Sequence, residues 1–202
     1  MGKAVERIYP SKWEMQEISR TMRMFEHMKR YNLIKRYCYG TVVDIACGTG
    51  YGTFLLSNNP DVKELYGFDI NEEAIEYARK EFQHPKIEFE VGNTDSFIGN
   101  LEEIPVDTLV SLETIEHLSN PTLFAHNVSI LAPSILVVSF PDKKSTHFNP
   151  HHLHDFSTQD IINLFCNSHI LVREFSINDV TILIFVSAPY QMPKHIFKNV
   201  IK

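Results

Sequence analysis

The sequence has no apolar run near the roughly 18 residues that a membrane-spanning helix needs. Its three cysteines are odd in number and include no Cys-x-x-Cys pair that would suggest structural zinc or a redox couple. Basic residues are not in excess, since 19 Lys and Arg stand against 25 Asp and Glu, a formal net charge of −6. We therefore expect a protein without a membrane span in the reducing cytoplasm, for which nucleic acid is not a favoured partner.

A length of 202 residues suits one domain with one core. An amphipathic helical stretch over 12–37 comes first, a core follows over 38–189, and 190–202 forms a tail. We expect the first stretch to act as a lid or to supply a dimer face, so the protein would be a monomer or a homodimer.

The core alternates β-rich runs with helical patterns, which predicts an α/β fold with a doubly wound, Rossmann-like, seven-stranded sheet. This sheet would be mostly parallel and would end in an antiparallel hairpin strand. Such sheets bind ligands beyond the carboxyl ends of their strands. The expected strands cover 41–46, 64–69, 86–91, 105–112, 134–140, 170–177 and 180–188.

A glycine-rich turn follows the first expected strand. Asp44 lies near the end of that strand, and Gly48 and Gly50 allow a ligand to approach the backbone. The third glycine of a dinucleotide fingerprint would fall at Thr53, so that pattern fails. The second strand ends in Asp69, which could accept hydrogen bonds from a ribose diol or simply cap the chain.

The turn and Asp69 resemble motif I and the following acidic position of class I S-adenosylmethionine-dependent methyltransferases. By this resemblance Asp44, Ala46 and Gly48 would face the methionine end of the cofactor. Asp69 would then hold the ribose, and Ile70 would pack on adenine. The resemblance implies a cofactor site made of Asp44, Ala46, Cys47, Gly48, Gly50, Asp69, Ile70, Asn93, Thr94, Leu112 and Glu113. The sequence departs from the family at 92–95, so both Asn93 and Asp95 are candidates for the contact with the adenine amine.

Two carboxylates and an imidazole, those of Glu113, Glu116 and His117, follow the fourth expected strand. Side chains so close to one strand end could bind a cation, accept a proton from a substrate hydroxyl, or cap the local structure. The loop over 141–157 adds further imidazoles.

The Glu-x-x-Glu-His pattern with a later histidine resembles ubiquinone-pathway O-methyltransferases and small-RNA terminal 2′-O-methyltransferases. That resemblance implies a divalent metal, Mg²⁺ or Mn²⁺. From their position we also expect Glu116 and His117 to act in catalysis, where either His117 or the metal would remove the proton. The implied metal ligands are Glu113, Glu116, His117 and His152, with His151 and His154 as substitutes.

The chain also resembles bacterial methyltransferases linked to cell-surface polysaccharide synthesis. This resemblance covers residues 6–7, 27–31, 44–48, 113–117 and 149–152. It implies methyl transfer to a small-molecule hydroxyl, with a carbohydrate such as a sugar or nucleotide-sugar as partner. Three alternatives stay open: a terminal 2′-O-methyltransferase of RNA, a quinone or catechol O-methyltransferase, and a non-catalytic cofactor-binding partner of a larger enzyme.

Overall fold

The computed structural model describes residues 7–16, 22–93, 101, 104–187 and 196. Its strands are β1 Gly40–Ile45, β2 Val62–Asp69, β3 Ile87–Val91, β4 Thr108–Leu112, β5 Ile135–Pro141, β6 His169–Ile177 and β7 Val180–Ser187. They form one seven-stranded sheet in the order β3-β2-β1-β4-β5-β7-β6. The first five strands are parallel, and β7 is antiparallel to both of its neighbours. The predicted fold class is confirmed.

Short helices connect the strands, and polar caps fix where several of them begin. The helices are α1 Lys12–Gln16, α2 Met22–Ile34, α3 Tyr51–Ser57, α4 Glu72–Glu81, α5 Pro121–Leu131 and α6 Thr158–Phe165. Asn71 accepts a hydrogen bond from the Ala74 amide, and Asn120 caps α5 ahead of its first-turn proline. Ser157 and Asp160 form a capping box on α6.

Hydrophobic cores lie on both faces of the sheet. Val42 and Val43 are both fully buried, but they belong to two different apolar clusters. Side chains of consecutive strand residues point to opposite faces, so a strand buried on both sides is continuously apolar. The cluster around Val42 includes residues of α2, α3 and α4, and the cluster around Val43 includes residues of α5 and α6. Helices therefore cover the sheet on both sides, as a doubly wound fold requires.

The expected strand boundaries lie within two residues of the observed ones, except at the start of the fourth strand. The strand expected over 105–112 begins only at Thr108, and Pro105 has no amide hydrogen to contribute to a ladder. The stretch 12–37 contains α1, α2 and a 3₁₀ turn at Lys35–Tyr37, while 17–21 lies outside the described residues. The tail over 190–202 also lies outside them, apart from Ile196. Within the described ranges, no helix is long and apolar enough to cross a membrane.

Candidate functional site

A cavity of about 630 Å³ lies at the carboxyl edge of the sheet. The order of strands reverses between β1 and β4, and such a switch point is where doubly wound sheets bind ligands. The lining includes the turn after β1, the residues after β2 and β4, one face of α2, and part of the 141–157 loop. Of the predicted site residues, Ala46, Cys47, Gly48, Asp69, Ile70, Asn93, Leu112, Glu113, Glu116, His117 and His152 line it. Thr94 lies outside the described residues.

The turn after β1 uses its two predicted glycines differently. Gly48 and Gly50 have φ angles of +59° and +82°, in the left-handed region. A Cβ on Gly48 would meet nothing within 4 Å, so the backbone there is open to a ligand. A Cβ on Gly50 would lie 2.6 Å from the Cβ of Ala78, so this glycine lets α4 pack closely.

Asp44 supports the turn from behind the cavity wall, because it is fully buried and does not line the cavity. Its Oδ2 accepts hydrogen bonds from Thr53 Oγ1 at 2.7 Å and from the Tyr31 hydroxyl at 3.3 Å. Burial raises the pKa of this carboxyl from 3.8 to about 7, against the opposing effect of the two hydrogen bonds. Asp44 thus ties β1 to α3 and α2.

Replacement of Asp44 by asparagine is expected to change how stability depends on pH. The folded wild type keeps Asp44 protonated up to about pH 7, whereas the unfolded chain ionises it near pH 4. The neutral carboxyl therefore contributes fully to the free energy of unfolding below pH 4, and this contribution is lost as the pH rises through 7. Relative to that of Asp44→Asn, the free energy of unfolding of the wild type should fall by about 3 kcal/mol between pH 5 and pH 8, as measured by urea unfolding. A constant difference across this range would contradict the prediction, and the exposed Asp179→Asn is the control.

Asp69 joins the ends of β1 and β2. Its Oδ2 accepts the Gly48 amide at 2.9 Å, and its Oδ1 accepts the Asn71 amide at 2.8 Å. Arg7 Nη2 also donates to Oδ1 at 3.1 Å, which brings the N-terminal segment to the cavity. Beside it, Ile70 is 67% exposed and presents an apolar surface to the cavity. A carboxylate next to an exposed apolar side chain can recognise a ribose and a nucleobase together.

Glu113 has a strained backbone at the end of β4, with a φ angle of +51°. Ser139 Oγ donates to its Oε1 at 3.0 Å, and the Glu113 amide donates to Ser139 Oγ at 2.9 Å. Its Oε2 lies 3.6 Å from Arg30 Nη1. The side chain is thereby directed to α2.

Glu116, His117 and His152 form the cluster that could hold a metal ion, with one potential ligand atom from each lying within 4.8 Å of the others. The structure places Glu113 outside this cluster. His151 lines the cavity without joining the cluster, and His154 Nε2 lies 2.9 Å from the Leu118 carbonyl.

Hydrogen bonds outside the cluster orient its members. His117 Nδ1 lies 3.0 Å from the His151 carbonyl oxygen, and His152 Nδ1 lies 2.6 Å from Ser145 Oγ. The Glu116 carbonyl accepts the Leu153 amide at 2.8 Å, so the loop is fixed to the 3₁₀ turn Ile115–His117. Such bonds hold imidazoles in one orientation and support metal binding or proton transfer.

The Glu116 carboxyl is 1% exposed, and neither of its oxygens accepts a hydrogen bond from any residue in the described ranges. Burial raises its pKa well above the usual value, and the nearby charge of Glu113 raises it further. A buried carboxyl in such a position is stabilised either by a proton or by a bound cation.

Three cavity residues on α2 were not predicted from the sequence: His27, Arg30 and Tyr31. They lie at positions i, i+3 and i+4, which share one face of a helix. That spacing of polar residues within an amphipathic helix is the signal that could have identified them.

Comparison with known proteins agrees with this geometry. Residues 42–134 match the family model of a methyltransferase domain. An uncharacterized RNA methyltransferase of Clostridium acetobutylicum is 29% identical over 136 residues, which cover 67% of this chain. The match covers 24% of that protein, so the chain spans about a quarter of its length.

Two solved structures share the fold. The PH0226 protein of Pyrococcus horikoshii OT3 has a TM-score of 0.67 at 19% identity, over 85% of this chain and 93% of that one. Magnesium protoporphyrin IX methyltransferase of Synechocystis PCC 6803, with bound S-adenosylhomocysteine, has a TM-score of 0.65 at 16% identity, over 86% and 92%.

The matched domain contains the glycine turn, Asp69 and the residues from Glu113 to His117. The second of these solved structures holds S-adenosylhomocysteine, the product of methyl transfer from S-adenosylmethionine. Residues 42–134 are therefore similar to a methyltransferase domain, and this chain shares the fold of a solved methyltransferase structure.

Proposed function

We propose that this protein transfers a methyl group from S-adenosylmethionine to a hydroxyl oxygen of a small molecule. The observation that carries the proposal is that one cavity connects Asp69 with the cluster of Glu116, His117 and His152. A nucleoside held at one end would thus share the cavity with an acceptor held at the other.

The residues at the nucleoside end fit the cofactor. Gly48 leaves open space where any other residue would have a Cβ, and Asp69 offers a carboxylate at the cavity wall. Ile70 supplies an apolar surface for adenine. When bound, the cofactor supplies a methyl group on a sulfonium that is already a competent leaving group. The work of the protein is then to align the acceptor oxygen, and alignment alone contributes several kcal/mol.

The residues at the acceptor end fit a divalent cation. One carboxylate and two imidazoles, from Glu116, His117 and His152, suit Mn²⁺ and, with added oxygen ligands, Mg²⁺. The two buried Glu116 oxygens that lack hydrogen-bond donors in the described ranges support this assignment. A bound ion would supply positive charge that lowers the pKa of a neighbouring hydroxyl.

His117 is placed to receive the proton of the acceptor hydroxyl. It lines the cavity, its Nδ1 is within hydrogen-bond distance of the His151 carbonyl, and its Nε2 lies 3.9 Å from Glu116 Oε1. The carboxylate would stabilise the imidazolium that forms, and such a base contributes roughly 10²- to 10⁴-fold to a rate. The Nε2 lone pair of His117 either accepts this proton or binds the cation, and Glu116 would serve whichever of the two roles His117 takes.

We infer that the acceptor is a sugar or nucleotide-sugar hydroxyl, which the polar lining of the acceptor end supports. A second candidate is the terminal 2′-hydroxyl of an RNA, favoured by the similarity to an RNA methyltransferase over 136 residues. The net charge of −6 gives no general attraction for polyanions, so the small molecule is the better proposal.

Incubation with methyl-labelled cofactor and a panel of nucleotide-sugars, catechols and short RNAs, followed by product mass analysis, tests this function. We expect the label on a hydroxyl of a sugar compound, and a Glu116→Gln variant should leave the panel unlabelled. Label on RNA alone would establish the second candidate. Binding of the cofactor with no labelled product, across a panel extended to host glycan precursors, would contradict both.

A further inference from the structure

Arg30 and Glu113 form an incomplete ion pair in the wall of the cavity. Arg30 is 9% exposed, yet both residues line the cavity. The 3.6 Å between Arg30 Nη1 and Glu113 Oε2 is longer than a charged hydrogen bond of 2.7–2.9 Å. Arg30 Nε is buried and has no hydrogen-bond partner in the described ranges. Arg30 is a buried charge, and its loose contact with the partly exposed Glu113 does not recover the desolvation energy. This indicates that a ligand completes the pair.

The orientation of Glu113 is specified by the fold. Its φ angle of +51° costs backbone energy, and the two hydrogen bonds with Ser139 hold the residue there. Strain of this kind persists where the surrounding structure imposes it and is concentrated at functional sites. A residue that only capped β4 would not need it.

The position of the pair along the sheet edge predicts what it binds. Asp69 is the last residue of β2, whereas Gly48 follows β1 and Glu113 follows β4, and these three strands are neighbours in that order. The cofactor has its ribose, its sulfur and its amino-acid group in the same order. A nucleoside held at Asp69 and passing Gly48 therefore brings its amino-acid group to the switch point between β1 and β4.

We propose that Arg30 binds the α-carboxylate, and Glu113 the α-ammonium, of the amino-acid end of the cofactor. This assignment rests on the proposed function, because it requires an S-adenosyl ligand. A zwitterion carries both charges that the open pair can accept, and the guanidinium fork matches a carboxylate. Glu113 is thus assigned to the cofactor, and the cation remains with Glu116, His117 and His152.

Isothermal titration with two ligands tests the assignment. S-adenosylhomocysteine has the amino-acid group, and 5′-methylthioadenosine has the same nucleoside and sulfur without it. Arg30→Gln should lower the affinity for S-adenosylhomocysteine about 10- to 100-fold and change the affinity for 5′-methylthioadenosine less than about twofold. Glu113→Gln should lower the affinity for S-adenosylhomocysteine about 10-fold and again leave the affinity for 5′-methylthioadenosine nearly unchanged. Arg30→Lys should restore part of the affinity, and the exposed Lys29→Gln on the same helix is the matched control.

The ratio of the two dissociation constants within one protein is insensitive to partial unfolding of a variant. If neither Arg30→Gln nor Glu113→Gln folds, the wild type decides: it should bind an S-adenosylhomocysteine analogue that lacks the carboxylate at least about 10-fold more weakly. Equal losses for both ligands in Arg30→Gln, or no loss for either, would overturn the assignment. Failure of the wild type to bind either ligand would instead overturn the proposed function.

Discussion

Glu116→Gln is expected to lower the turnover number at least about a thousandfold while it leaves the affinity for S-adenosylhomocysteine within about twofold of wild type. The glutamine keeps the shape of the buried side chain but removes the charge that a cation and an imidazolium require. Glu116 lies in the cluster with His117 and His152, whereas Asp69 and Gly48 line another part of the same cavity. Initial rates with labelled cofactor and titration with S-adenosylhomocysteine measure the two effects separately.

Removal of divalent metal from the wild type should have a similar effect. EDTA is expected to abolish turnover, and Mn²⁺ should restore it in the wild type but not in Glu116→Gln. Glu73→Gln, which changes an exposed carboxylate on α4, is the control. Activity that is indifferent to EDTA would leave His117 as a general base without a metal. Full activity of Glu116→Gln would exclude Glu116 from both the proton transfer and the binding of an essential cation.

Asp69→Ala is expected to lower the affinity for S-adenosylhomocysteine at least about 100-fold, because two functions of the side chain are lost together. The carboxylate that would hold the ribose is removed, and so is the acceptor for the Gly48 amide, which orders the turn. Asp69→Asn keeps a carbonyl oxygen that can accept from that amide, so its affinity should fall less. Since both ligands contain the ribose, Asp69→Ala should lower the affinity for 5′-methylthioadenosine as strongly. Arg30→Gln, by contrast, should leave that affinity nearly unchanged.

Titration of each variant, with thermal unfolding to confirm that it is folded, measures this prediction. Asp179→Ala, which removes an exposed aspartate in the hairpin between β6 and β7, is the control. Unchanged affinity in Asp69→Ala would place the nucleoside elsewhere and would end the proposed function.

The sequence by itself determined the elements and the strand ends that form the site. Period-two and period-3.6 patterns are local, so the alternation of strands and helices could be predicted from it. Gly48, Gly50 and Asp69 are also local signals, because the glycines come directly after the first strand and Asp69 ends the second. The doubly wound rule then places them at one edge of the sheet.

Only the tertiary structure decided which side chains meet. His152, but neither His151 nor His154, joins Glu116 and His117, because the hydrogen bonds between the loop and the 3₁₀ turn set which imidazole faces the cluster. Glu113 is directed to Arg30, and Asp44 supports the wall without lining it. These contacts join residues far apart in the chain, and their geometry depends on packing between helices, strands and loops, which no local pattern of residues specifies.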